Sequence, residues 1–295
     1  MVAFDVPEVD FDRYTNRQLA AVPLAVLGVA LAILVAWYLL HGTPVALSID
    51  FTGGTELTVQ TATPQAQIPS AFSAEPVSVQ AVSGQPNQYI VTFQSTNSGA
   101  LTQQATNNLQ PVSGDQPPDV VQSQRSTSAV FGERAQQTAL LGLVVAFAGM
   151  SALAFLLFRT FVPSVAIVLS AFADIVIPLA LMDVFGIPLS LGTVAALLML
   201  IGYSVDSDIL LTNHVLRRSG DFYESAYRSM RTGVTMTVTS IAAMIVMALL
   251  AFYFGIELLT SMGLVIFFGL TADLMNTYLL NVSLLRYYKY EGIAQ

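Results

Sequence analysis

The sequence predicts a mainly α-helical membrane protein, with six transmembrane helices and one extracytoplasmic α+β domain of the ferredoxin-like βαββαβ kind. Three observations carry this reading. Of the 295 residues, 54% are hydrophobic and only 10% are charged, whereas a soluble domain carries about 25% charged residues. Six apolar runs are each long enough to cross a hydrocarbon core of about 30 Å. Between the first two runs, residues 41–135 change character: Gln, Ser, Thr, Asn and Pro dominate, and short period-two patterns replace the long runs.

Taken in order, residues 1–18 form a polar cytoplasmic tail. Residues 19–40 are apolar throughout and as a helix reach about 33 Å. The apolar stretch of a cleaved signal peptide is shorter, so this run is read as a retained anchor. In the domain, Leu57, Val59 and Thr61 alternate with Thr58 and Gln60. Val77, Val79 and Ala81 alternate with Ser78 and Gln80, and Tyr89, Val91 and Phe93 with Ile90, Thr92 and Gln94. Each stretch is a half-buried strand, and Ser83 to Asn87 forms the loop joining the last two. Helices fill the gaps at Pro64 to Ser73, opening on a proline, and at Ser98 to Gln110, where Leu101, Ala105 and Leu109 share a face. A strand from Asp119 to Gln124 completes the order β-α-β-β-α-β. The predicted core is Leu57, Val59, Phe72, Val77, Val79, Val91, Phe93, Leu101 and Leu109.

Residues 136–285 hold the other five helices, at about 137–158, 161–182, 189–212, 234–254 and 257–285. Residues 213–232 are a cytoplasmic loop, read either as an interfacial amphipathic helix or as an ordinary basic loop, and 286–295 are a cytoplasmic tail. With both termini inside, nine basic residues face the cytoplasm and only Arg125 and Arg134 lie outside, which is a positive-inside pattern.

Composition removes several function classes. There is no cysteine, and His41 and His214 lie outside the apolar runs, so neither a metal site nor a cofactor is expected. A net charge of −8 argues against nucleic acid as a partner. One lysine against ten arginines fits either a high-salt cell or a membrane chain with little use for lysine. Asp50-Phe51-Thr52-Gly53-Gly54-Thr55 superficially resembles a phosphate cradle, but it lacks the lysine and the spacing. It is better read as a sharp turn out of the first helix. No nucleophile–base pair or nucleotide loop points to an enzyme.

Ionisable residues within spans default to functional hypotheses. Asp174 lies in the third helix, Asp206 and Asp208 in the fourth, and Asp273 in the sixth, with no Lys, Arg or His in any span. These are the candidates for ion coupling. Asp273, Asn276, Thr277 and Asn281 form one stripe, and Ser204, Ser207, Asp208 and Thr212 another, with Asp206 pointing elsewhere. Counted from the outer ends of their spans, Asp206 and Asp273 both lie at a depth of about 24 Å. The expectation is that Asp206 is the interior partner of Asp273, with close helix approach at Gly202, and that Asp208 is nearer the cytoplasm and wetter.

These residues resemble the SecF family. Ser48 to Thr55, containing Asp50, Phe51, Gly53, Gly54 and Thr55, is similar to its Ile-Asp-Phe-x-Gly-Gly-Thr motif. Gly202-Tyr203-Ser204 is similar to its Gly-Tyr-Ser motif, and Arg231-Thr232 to its Arg-Thr pair. The pattern ending at Asp174 is similar to a bacterial Ala-His-Asp, with Ala173 replacing the histidine. The separate chain and the Asp-Ser-Asp of helix four look more like an archaeal member. The resemblance implies the resistance-nodulation-division superfamily, a SecD-like membrane subunit as partner, a SecY-type translocon and exported unfolded polypeptides as further partners, and the cell membrane as location. It implies no cofactor. Half of a small-molecule or lipid exporter and a non-transporting assembly scaffold are the alternatives. The small single domain and the Gly-Gly motif favour SecF.

Overall fold

The computed structural model describes residues 13–82, 84–112, 120–217 and 222–290. Expectations that fall on Ser83, Gly114, Asp119, Arg218, the acidic residues before Arg13 and the last five residues lie outside the described residues.

Helix α1, Asn16–His41, starts at a reciprocal capping box between Thr15 and Gln18 and stops at Gly42, which is left-handed at φ 77°. It turns one narrow stripe inward, Leu19, Pro23, Leu27 and Ala30. Short helix α2, Ile49–Thr52, leads into strand β1, Gly54–Gln60. Then follow a 3-10 turn at Gln65–Ala71, β2 at Ser78–Ala81, β3 at Gln88–Phe93, α3 at Ser98–Asn108 and β4 at Val121–Thr127. The remaining spans are α4, Ala129–Phe158; α5, Phe161–Phe185; α6, Leu191–Arg217; and α7, Phe222–Tyr253. The sixth span is composite: α8, Glu257–Met275, a π turn at Asn276–Asn281, and α9, Val282–Tyr290. Six helical segments are long and apolar enough to cross a membrane.

The four strands form one antiparallel sheet in the order β2-β3-β1-β4, the order of a ferredoxin-like unit. Helix α3 and the 3-10 turn cover one face through Leu57, Val59, Ile68, Phe72, Val91, Phe93, Leu101 and Leu109. Each fully buried large side chain there contributes about 1.5–3 kcal/mol. Three details differ from the sequence expectation. Val77 is 64% exposed because β2 begins after it, and Val79 is half-buried. The segment after Pro64 is 3-10 rather than α, since Pro69 inside it lacks the N–H that an α turn uses. The sixth span is broken by the π turn, whose Asn276, Thr277 and Asn281 side chains turn inward to side chains of the neighbouring spans.

In the bundle, α5 is central. Two thirds (67%) of its most apolar stretch is buried, against 11% for α4 and 17% for α7. Those two therefore present most of their surface to lipid or to another chain. The domain is stitched to the bundle. Ser48 N–H donates to the Leu189 carbonyl at 2.9 Å, Leu189 N–H to the Ala46 carbonyl at 2.7 Å, and Ala46 N–H to Asp183 Oδ1 at 3.0 Å.

Gly53 ends α2 at φ 74°, and a Cβ there would lie 2.7 Å from the backbone of Ala129. Gly99 in α3 has open space around it. Gly53→Ala therefore lowers the melting temperature of the purified chain by several degrees, a cost of about 1–3 kcal/mol, whereas Gly99→Ala leaves it unchanged or higher.

Candidate functional site

Three of the four in-span aspartates meet inside the bundle. Asp174 on α5 is 1% exposed, Asp208 on α6 0% and Asp273 on α8 2%. Close packing makes the meeting possible. At Gly269, one turn before Asp273, the Leu200 side chain of α6 occupies the space a Cβ would need, which brings α6 and α8 into contact.

Hydroxyls and amides connect the carboxylates. Asp174 accepts from Ser204 Oγ and, at 2.6 Å, from Asn276 Nδ2. Asp208 Oδ1 accepts from Thr277 Oγ1 at 2.8 Å and from Asn281 Nδ2 at 2.9 Å. Asp273 lies 2.9 Å from Ser207 Oγ and 3.2 Å from Thr277 Oγ1. Ser170 is buried beside them. The π turn supplies three of these partners. By widening the helix at 276–281 it turns Asn276, Thr277 and Asn281 all inward, each 0% exposed. Among the described residues, no Lys, Arg or His side chain bonds to any of the three carboxylates. Acceptors outnumber donors: Asp208 Oδ2, Asn276 Oδ1 and Asn281 Oδ1 are buried with no donor in hydrogen-bonding geometry.

The expected roles of the helix-four acids are reversed. Asp206 is exposed and lines a cleft of about 390 Å³ between α6 and α7, with Tyr203, Asn213, Thr232 and Thr237. Asp208 is the interior one. The helix had to choose, because the two side chains point about 200° apart, and the stripe of Ser204, Ser207 and Thr212 lies on the Asp208 side. Gly202 is exposed, with nothing within 4 Å of a Cβ position, so the expected close approach there is absent within this chain. Tyr203 is 44% exposed, and Arg231 is exposed in the first third of α7, outside the cluster.

The Gly-Gly turn forms a second constellation, on the domain side of the bundle. Asp50 is 2% exposed, Phe51 3% and Thr55 0%. Asp50 Oδ1 accepts from Arg125 Nη2 of β4, and Oδ2 accepts from the Leu191 N–H at 3.0 Å. The turn holds backbone and charge rather than phosphate. Below the open face of the sheet lies a cavity of about 600 Å³, lined by Glu56, Thr92, Glu257 and Thr260 among others. Sequence reasoning missed Asp183 and Glu56, whereas the spacing already placed Ser170 on the Asp174 face of the third helix. Only Asp183, a single acid at the end of a span, carried a signal that could have found it.

Residues 113–291 match the family described as protein export membrane protein SecD/SecF, C-terminal, and residues 38–65 match the SecD/SecF GG motif. Over the full length of both chains, the sequence is 62% identical to a protein-export membrane protein SecF of Haloferax volcanii. The chain belongs to the SecF family. A SecF relative from Pyrococcus furiosus is 37% identical across 94% of this chain and 93% of its own. Among solved structures, SecDF of Thermus thermophilus, a translocon-associated membrane protein, superposes with a TM-score of 0.74 at 19% identity. The match covers 98% of this chain and 39% of that longer one, and the likeness is one of fold. The 38–65 match contains the Asp50 turn, and the 113–291 match contains the three-carboxylate cluster.

Burial raises the Glu56 carboxyl above its ordinary value of 4.5; Arg125 partly opposes this and Asp50 adds to it. A raised folded value means that the folded state holds the proton more tightly. The stabilisation is complete below the unfolded value and is lost as pH rises through the folded one. Melting temperature therefore falls as pH climbs above about 4.5, and Glu56→Gln flattens that part of the profile. An unchanged slope in the variant contradicts the assignment.

Proposed function

We propose that this chain is the SecF-type subunit of a protein-export machinery in the cytoplasmic membrane. Both termini face the cytoplasm and residues 41–135 lie outside. It works with a SecD-like membrane subunit beside a SecY-type translocon, promotes passage of unfolded polypeptides, and draws on proton movement through the carboxylate cluster.

The observation that carries this reading is the cluster itself. Buried charge without a cation is costly, and a span keeps it where it has a use. Asp174, Asp208 and Asp273 come from three spans, and one hydroxyl, Thr277 Oγ1, bridges Asp208 and Asp273. Thr277 Oγ1 stands 2.8 Å from Asp208 and 3.2 Å from Asp273. One hydroxyl proton cannot serve both carboxylates when both are charged. A proton on either one lets that carboxyl donate to Thr277 while Thr277 donates to the other, and reversing the two bonds moves the proton. Protons thus step between α8 and α6, and each step exchanges which carboxyl donates to Thr277 and which accepts from it.

Two further features support the reading. Met199 (41% exposed) and Tyr203 (44%) face outward on α6 beside Asp206 and its cleft, which suits a second membrane chain seated along α6. β4 lies at the edge of the sheet and consists mostly of exposed residues, which suits weak, sequence-tolerant contact with an extended polypeptide.

Substitution tests the central claim. In cells, Asp208→Asn and Asp273→Asn slow pulse-chase export of a secreted protein by about tenfold or more, equivalent to about 1.4 kcal/mol or more in the rate-limiting step. Asp206→Asn has a smaller effect. Normal export with both interior substitutions refutes ion coupling and favours a passive scaffold. A second test addresses partner and orientation. The native chain copurifies with a SecD-like subunit after mild solubilisation, and a reporter fused at position 114 reads extracytoplasmic. Recovery only as a free monomer, or a cytoplasmic reporter signal, contradicts the assignment.

A further inference from the structure

The geometry points to Asp50 as a joint through which the α+β domain moves α6, and with it Asp208. This deepens the reading of the carboxylate cluster as the working site, and it rests on that reading.

Asp50 lies in the four-residue helix between the first span and β1 and is almost fully buried. Its two oxygens serve two different bodies. Oδ1 takes the guanidinium of Arg125, in the middle of edge strand β4. Oδ2 takes the backbone N–H of Leu191, the first residue of α6. Ser190 and Thr193 cap one another at this helix start, Thr193 N–H donating to Ser190 Oγ at 3.2 Å and Ser190 N–H to Thr193 Oγ1 at 2.7 Å. The Leu191 N–H is one of the groups that a helix leaves unpaired, and a carboxylate at the positive end of the helix dipole grips it. A charge-assisted bond on each side makes the Asp50 carboxylate a short, stiff link.

Beyond the link, α6 runs unbroken from Leu191 to Arg217. Asp208 follows Leu191 by 17 residues, about 25 Å along the axis. The side chains that hold Asp208, Thr277 and Asn281, belong to the sixth span. Sliding α6 against that span therefore changes the Asp208 contacts, together with the Ser207–Asp273 bond, as packed helices shift by rigid displacement. The arm can also let go. Glu56 stands directly opposite Arg125 in the β1–β4 register, within reach of a cross-strand neighbour. The guanidinium can leave Asp50 for a second carboxylate without being stranded. Asp50 is a positioning residue in this scheme, acting on the cluster through α6.

Hydrogen–deuterium exchange on the full chain in its membrane complex, reconstituted in lipid nanodiscs, tests the joint. Arg125→Gln removes only the domain arm and touches no residue of α6. The expected result is at least twofold faster exchange at the far end of α6, residues 205–217, with α5 protection unchanged. Arg125→Lys restores the wild-type pattern. Leu191→Pro, tolerated at a first helical position, removes only the α6 arm and should reproduce the change at 205–217 while leaving β4 as in wild type. Changes confined to 49–56 and 121–129 overturn the proposal, and so does a loss of protection that includes α5. Export rates do not enter this readout, so failure of the joint is distinguishable from failure of the carboxylate reading.

Discussion

A carboxylate inside a membrane bundle needs a cation, a proton or a dense set of donors, and this chain places three where, among the described residues, no basic side chain bonds to them. Much of the rest of the architecture follows from accommodating them. Serines on α5 and α6 face the same interior as the aspartates, Gly269 lets two spans touch, and the sixth span gives up regular α geometry where Asn276, Thr277 and Asn281 turn inward. A π turn carries an energetic penalty, and it persists here where its residues make the hydrogen bonds of the cluster.

The same logic joins the domain to the bundle. The first span does not hand over to the sheet through a loose linker. Residues 46–48 pair with 189, Asp183 and Asp50 receive backbone N–H groups across the junction, and Gly53 packs against the start of α4. A domain fixed at several points to the near ends of α4, α5 and α6 is placed to exchange force with α5 and α6, which carry buried acids. The Gly-Gly motif is then a mechanical element: its glycines allow backbone contact, and its aspartate supplies the charge that bridges two bodies.

Much of this was legible in the sequence because it is periodic. Apolar runs of span length and the alternation in 57–61 and 89–94 need no tertiary information. The misreadings share a cause. Val77 continues the period-two pattern, but the strand starts one residue later. The π turn leaves no periodic trace, since its residues satisfy a helical pattern on either side. For Asp206 and Asp208 the sequence states the angle between them but not which neighbour each will meet. Depth favoured Asp206, whereas the stripe of Ser204, Ser207 and Thr212 marked the Asp208 face as interior, and in a bundle the face decides. Asp50 and Leu191, 141 residues apart, are joined only by folding.

The most direct measurement of the central claim is infrared difference spectroscopy on the membrane complex across a pH step, in water and in deuterium oxide. The account predicts a protonated carboxylic acid band from a solvent-shielded site. That band shifts with deuteration, disappears in the Asp208→Asn and Asp273→Asn variants, and survives in Asp206→Asn. A band that follows Asp206 instead, or the absence of any protonated carboxyl signal from the interior pair, would contradict the account.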